Sequence, residues 1–253
     1  MSLEVVKLVG AVAIFVVGFI GALVARRMTE QPGDGSALSI ANCLAGGIFI
    51  AAGLIHVLPD SQSQLAVAFP SISYPLFGLL ATASFALMLL IDQVGHQASA
   101  KEQNSVVSAA VLFLVLSIHS IITGFALGIE NQSVAAVALL IAVLAHKGTA
   151  SFALALKVSP VSEKARQFLG RMIAFSLTTP VGVLLGLWLL NQLSGSKGPM
   201  MEGLFDALAA GTFLYVAIFE ILSQEFRKHG HVNAKLVAMI LGATLMAVVA
   251  LWT

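Results

Sequence analysis

Charge is nearly missing from this chain. Only 10% of its 253 residues are Asp, Glu, Lys or Arg, while 58% are hydrophobic; a soluble domain is roughly a quarter charged. That excludes a water-soluble fold, because a domain of this size lacks the interior to hide so much apolar surface. Cysteine occurs once, at Cys43, which excludes an internal disulfide and leaves that thiol to pack as a small apolar group. The net charge is +1 and no basic patch stands out, so nucleic acid is not an expected partner. Long polar linkers, low-complexity tracts, soluble-type repeats and lipidation motifs are all lacking. The expectation is one membrane domain spanning 1–253.

Long apolar runs fill the rest. A helix satisfies its own backbone polar groups in lipid, and about 20 residues cross a hydrocarbon core of roughly 30 Å. Such runs fall at 5–24, 38–58, 75–94, 106–129, 134–156, 168–190, 203–222 and 232–252. Polar or turn-forming stretches separate them at 26–36, 59–74, 95–104, 131–133, 157–166, 191–202 and 223–231. The predicted fold class is therefore all-α: a polytopic membrane protein with eight transmembrane helices. The first run is read as span 1 and not as a signal peptide, because its basic residues follow it and no small-residue cleavage site ends it. The connections after spans 1, 3, 5 and 7, with their flanks, hold Arg26, Arg27, Lys101, Lys157, Lys164, Arg166, Arg171, Arg227, Lys228 and Lys235. The opposite side holds Lys7 and Lys197. This bias predicts cytosolic odd connections and both termini outward.

An ionisable side chain in hydrocarbon costs about 2.5–3.5 kcal/mol on insertion scales, so each one calls for an explanation. Three of the six histidines, His56, His119 and His146, fall inside spans. Spans 4 and 5 are joined by a very short connection, which predicts adjacent antiparallel helices. His119 and His146 each lie about one residue from their span's centre, hence within a few ångströms of the midplane. Two neutral imidazoles at one depth suit zinc, copper or iron. The competing reading is that each merely hydrogen-bonds a neighbouring helix, and spacing alone does not decide between them.

The neighbouring residues add more. Span 4 reads His119-Ser120-Ile121-Ile122-Thr123-Gly124-Phe125-Ala126-Leu127-Gly128, and span 5 reads His146-Lys147-Gly148-Thr149-Ala150-Ser151-Phe152-Ala153-Leu154-Ala155. Span 2 ends His56-Val57-Leu58-Pro59-Asp60-Ser61, and span 6 contains Phe175-Ser176-Leu177-Thr178-Thr179-Pro180-Val181-Gly182. Span 7 contains Ala209-Ala210-Gly211-Thr212-Phe213-Leu214-Tyr215-Val216 and then Phe219-Glu220-Ile221-Leu222. In this order, over nearly the whole chain, these segments resemble the ZIP (Zrt/Irt-like) divalent metal transporter family. The resemblance implies a carrier moving zinc, iron, manganese or cadmium toward the cytosol. It implies an inverted-repeat helix bundle with the metal site at the midplane between helices 4 and 5. It also implies a plasma membrane or bacterial inner membrane, with an organelle membrane as the alternative, and no enzymatic activity.

Carried onto this sequence, the resemblance makes His119 and His146 the metal ligands, with Ser120, Thr123 and Ser176 the nearest hydroxyls. The sequence departs from the family where many members carry a carboxylate, four residues after each histidine: here stand Thr123 and Ala150. Lys147 occupies a second-metal ligand position. A +2 ion about 6 Å from an ammonium at an effective dielectric near 20 is repelled by roughly 5–6 kcal/mol. The expectation is thus one metal at the midplane, with Lys147 standing in for the second cation or sitting there partly neutral. A competing reading has Lys147 snorkelling or sealing the path.

His56 and Asp60, one turn apart near the outer end of span 2, suggest an inlet; the alternative is a helix end meeting water. Glu220, inward of the midplane on span 7, suggests an outlet ligand, with an ion pair as the alternative. Asp92 and Glu225 are expected to be solvated. Gly124 with Gly128, and Gly182 with Gly186, have the small-xxx-small spacing of close helix packing. Zinc is the preferred cargo, with iron, manganese, cobalt and cadmium also compatible, and no resident cofactor is called for. The expected partners are the metal ion and membrane lipid, with a homodimer as a candidate assembly. Two other functions compete: a non-transporting metal sensor or partner subunit, and an intramembrane metalloenzyme. The latter lacks the His-Glu-x-x-His spacing it would need.

Overall fold

The computed structural model describes residues 2–30, 35–98, 105–131, 133–160, 164–190 and 197–251. Among them every regular element is helical. Eight helices are long and apolar enough to span a membrane: Leu3–Glu30, Ser36–Ala68, Leu76–Val94, Val106–Ile129, Leu139–Val158, Ala165–Leu190, Gly198–Arg227 and Val232–Val249. These are spans 1 to 8, and they match the eight apolar runs one for one. The connection at 99–104, with Lys101, lies outside the described residues.

Three spans run well past their expected ends: span 1 continues to Glu30, into the stretch 26–36, and spans 2 and 7 reach further still. Span 2 continues through 59–68, a polar stretch expected to be a connection. A proline inside a helix removes an N–H and crowds the carbonyl four residues back. Here Pro59 follows a six-residue π-helical turn, Ala52–Val57, whose wider winding relieves that clash. Beyond it the helix needs only one buried stripe. Ser61 donates to the Gly203 carbonyl at 2.7 Å, and Leu65 packs where Gly203 has no side chain, while Gln62 and Ser63 face outward. Span 7 likewise begins before 203 and runs on through Ser223–Arg227 after a second π turn, Val216–Leu222. Glu225 anchors that extension, accepting hydrogen bonds from Ser39 (2.6 Å) and Asn42 (2.8 Å) of span 2.

The spans sort into two groups by packing. Span 4 lies along span 6, and span 1 along spans 5 and 6. Span 2 lies along span 8, and span 7 along spans 3 and 2. The groups meet where span 4 crosses span 7 and span 2 crosses span 5. Each π turn packs on the first half of the other span that contains one. The glycine pairs of spans 4 and 6 mate with each other: a Cβ on Gly128 would stand 2.7 Å from the Gly186 Cα, and one on Gly124 or Gly182 would strike backbone of the opposite helix. Large apolar side chains such as Val9, Leu184, Trp188 and Leu241 point outward, as lipid solvation requires.

Candidate metal centre

His119 projects from span 4 and His146 from span 5, both buried. Their ring centroids are 6.0 Å apart with planes inclined at 63°. A zinc ion held at about 2.0–2.1 Å by an imidazole nitrogen lies about 3.2 Å from that ring's centre, so two rings sharing one ion stand roughly 5–6 Å apart. The observed spacing fits.

The protonation pattern fits too. Thr212, on span 7, donates its hydroxyl to the Ala209 carbonyl at 2.7 Å, so toward His119 Nδ1, 2.8 Å away, its oxygen can only accept. Nδ1 therefore carries the ring proton, and Nε2 carries a lone pair. That Nε2 has no protein partner, and neither does His146 Nδ1. Buried ring nitrogens without a partner need a reason, and an ion is one. Phe213 packs against both rings, its own 3.8 Å from His119 and 4.8 Å from His146 centre to centre. Thr212 and Phe213 lie in the small-residue segment of span 7, where nothing else in the sequence marks them as functional.

The hydroxyls divide. Ser120 accepts from Lys147 Nζ at 3.0 Å. Thr123 donates back to its own helix, at the His119 carbonyl (3.1 Å) and the Ser120 carbonyl (3.3 Å). Ser176 is fully buried, with no protein partner for its Oγ. Lys147 is 2% exposed. Its ammonium also reaches the Phe175 carbonyl at 3.3 Å and lies 3.9 Å from the Phe175 ring centroid, a cation–π contact. This cation turns into the span 4–6 seam and does not extend to the interface. Among the described residues no three His, Cys, Asp or Glu side chains converge, as the missing carboxylates at 123 and 150 imply.

Both flanking residues sit in the π turns. His56 Nδ1 is 3.0 Å from Asp60 Oδ2, and that carboxylate is 44% exposed. Glu220 Oε2 is 3.2 Å from Lys157 Nζ and accepts from Gln224 at the same distance, while Oε1 is 3.4 Å from the Tyr215 hydroxyl. Beside Glu220 lies a cavity of about 390 Å³ between the two helix groups, bordered by Asn42, Ser108, Lys157 and Glu225. Asp92 and Glu225 are buried, not solvated as expected. For Glu225 the reason is its hydrogen-bonded seat between Ser39, Asn42 and Lys228, since a carboxylate so paired tolerates burial.

Fold and site together define a multi-pass membrane protein with imidazoles, hydroxyls and one ammonium gathered deep within its helices. Sequence comparison makes the assignment specific. The profile described as "ZIP Zinc transporter" matches residues 4–107 and 95–250. The chain is 29% identical over 297 residues to Zinc transporter ZIP1 of Bos taurus, covering 97% of this chain and 90% of the relative. It is 26% identical over 264 residues to Zinc transporter ZIP2 of Mus musculus, covering 85% of each. Protein zntD of Dictyostelium discoideum is 36% identical over 155 residues, 60% of this chain and 22% of the relative. The chain belongs to the ZIP zinc transporter family.

Proposed function

We propose that this protein carries divalent transition-metal ions, zinc first among them, across its membrane toward the cytosol. The cargo passes through a mononuclear midplane site made by His119 and His146. One observation carries the reading: two buried imidazoles 6.0 Å apart, each with a ring nitrogen that no protein group occupies. Water and the Ser176 hydroxyl complete the shell, and Lys147, one residue from His146, keeps a second ion out. Two neutral ligands hold a cation weakly, and conduction needs release as much as capture. In the orientation that the basic residues predict, Asp60 and His56 form the inlet and Glu220 lines the outlet. The reading is of a carrier and not an enzyme: among the described residues no three His, Cys, Asp or Glu side chains gather into a metal-holding group, and the sequence has no His-Glu-x-x-His spacing.

A second reading, a metal sensor or partner subunit, draws support from Lys147 and from Ala150, where a carboxylate would strengthen the site. Zinc uptake into proteoliposomes separates the two. The carrier reading expects flux above empty liposomes from the wild type, and background flux from the folded double variant His119→Ala with His146→Ala. Background flux from the wild type would leave only the second reading.

A further inference from the structure

Two buried carboxylates border the cavity at the predicted cytosolic end, and each already faces a lysine. Their settings differ. Glu225 is held by Lys228, three residues further on and just past the end of span 7, at 2.8 Å to each oxygen. Its remaining partners, Ser39 and Asn42, belong to the same helix group, so that pair travels as one body. Glu220 takes its cation from the opposite group. Lys157, at the end of span 5, stands 3.2 Å from Glu220 Oε2 and 3.0 Å from Ser108 Oγ of span 4. Glu220 is 3% exposed as a side chain and Lys157 24%, so the carboxylate is recessed while the ammonium sits at its open side, within the cavity wall.

A divalent ion moving from the imidazoles toward the cytosol thus meets an outlet carboxylate whose charge is already compensated. Ion and ammonium cannot share that oxygen, because their repulsion at contact distance is large in a partly desolvated site. The lysine stem is long and flexible, so the ammonium can swing into the cavity without moving a helix. We propose that Lys157 is a tethered competitor for metal at Glu220. It leaves the carboxylate when cargo arrives and retakes it to expel cargo into the cytosol. Because this contact also joins the two helix groups, cargo on Glu220 unfastens them at that end. The inference rests on the reading of Glu220 as an outlet ligand.

The test is zinc titration of the full-length protein in lipid nanodiscs, with His119→Ala and His146→Ala as a common background to silence the midplane. Lys157→Gln is expected to tighten zinc binding by roughly tenfold or more, the worth of one charge-assisted hydrogen bond. Lys157→Arg should stay close to the background protein, and adding Glu220→Gln to Lys157→Gln should abolish the gain. An ion pair that only fastens helices would move none of these affinities. Unchanged or weaker binding in Lys157→Gln, or a gain that survives Glu220→Gln, overturns the proposal. Should Lys157→Gln not fold, Lys157→Met keeps the aliphatic stem and takes its place. Wild-type uptake into proteoliposomes reports on the transport reading separately: flux with no Lys157 effect on binding removes only the competitor, whereas absent flux removes transport itself.

Discussion

Thr212→Val probes the site without touching a ligand. Valine nearly matches threonine in shape but replaces the oxygen that accepts the His119 Nδ1 proton at 2.8 Å. In the variant that N–H is buried without an acceptor, which costs about 1–3 kcal/mol. The ring answers by rotating or by moving its proton to Nε2, and either removes the lone pair from the proposed metal position. Loss of such an outer partner lowers metal affinity by about 10–100-fold, equivalent to about 1.4–2.8 kcal/mol at tenfold per 1.4 kcal/mol. The two ranges agree. The assay is zinc titration in nanodiscs, with the KM for uptake as a second readout and a thermal melt to establish folding. Thr212→Ser, which keeps the acceptor, should retain most of the wild-type affinity. A folded Thr212→Val protein with wild-type affinity and KM would refute the argument that Thr212 fixes the His119 tautomer.

Other outcomes follow from the same contacts. Ala150→Glu places a carboxylate one turn after His146 and should tighten zinc at least about tenfold, since two neutral ligands supply no negative charge; titration decides, and unchanged affinity would argue against the site as drawn. Gly128→Ala drives a methyl to 2.7 Å from the Gly186 Cα and should cost about 1–3 kcal/mol by overpacking the span 4–6 seam, read as a lower unfolding midpoint in lipid. Glu225→Ala leaves the buried Ser39 and Asn42 donors without their acceptor and should destabilise the protein by about 1–3 kcal/mol, the cost of unsatisfied buried donors, because the Lys228 ammonium, 60% exposed, returns to water. Glu30→Ala, whose carboxylate meets Arg26 at the surface, should change stability by less than about 1 kcal/mol.

The spans were legible because lipid imposes one demand, a continuous apolar helix, and composition records it directly. Their ends were not. The residues 59–68 and 223–227 are polar enough to read as connections, yet each continues a helix because a single stripe, at Ser61 and Leu65 or at Glu225, finds a partner on another span. The π turns left no mark, since Ala52–Val57 and Val216–Leu222 have ordinary apolar compositions; only Pro59 hinted at one of them. The closeness of His119 and His146 followed from matched depth on neighbouring helices. What lies around them did not, because Thr212 is 93 residues from His119 and its hydrogen bond is a product of packing. The facing of Ser120 toward Lys147, and of Lys157 toward Glu220, depends on helix rotation, which a run of apolar residues with polar ones scattered among them does not specify.

X-ray absorption at the zinc edge, on protein loaded with one equivalent, examines the coordination itself. Two imidazole nitrogens at about 2.0–2.1 Å, completed by oxygen and lost when both histidines become alanine, is the predicted spectrum. A shell without imidazole, or one unchanged in that double variant, would mean the cargo rests elsewhere in the molecule.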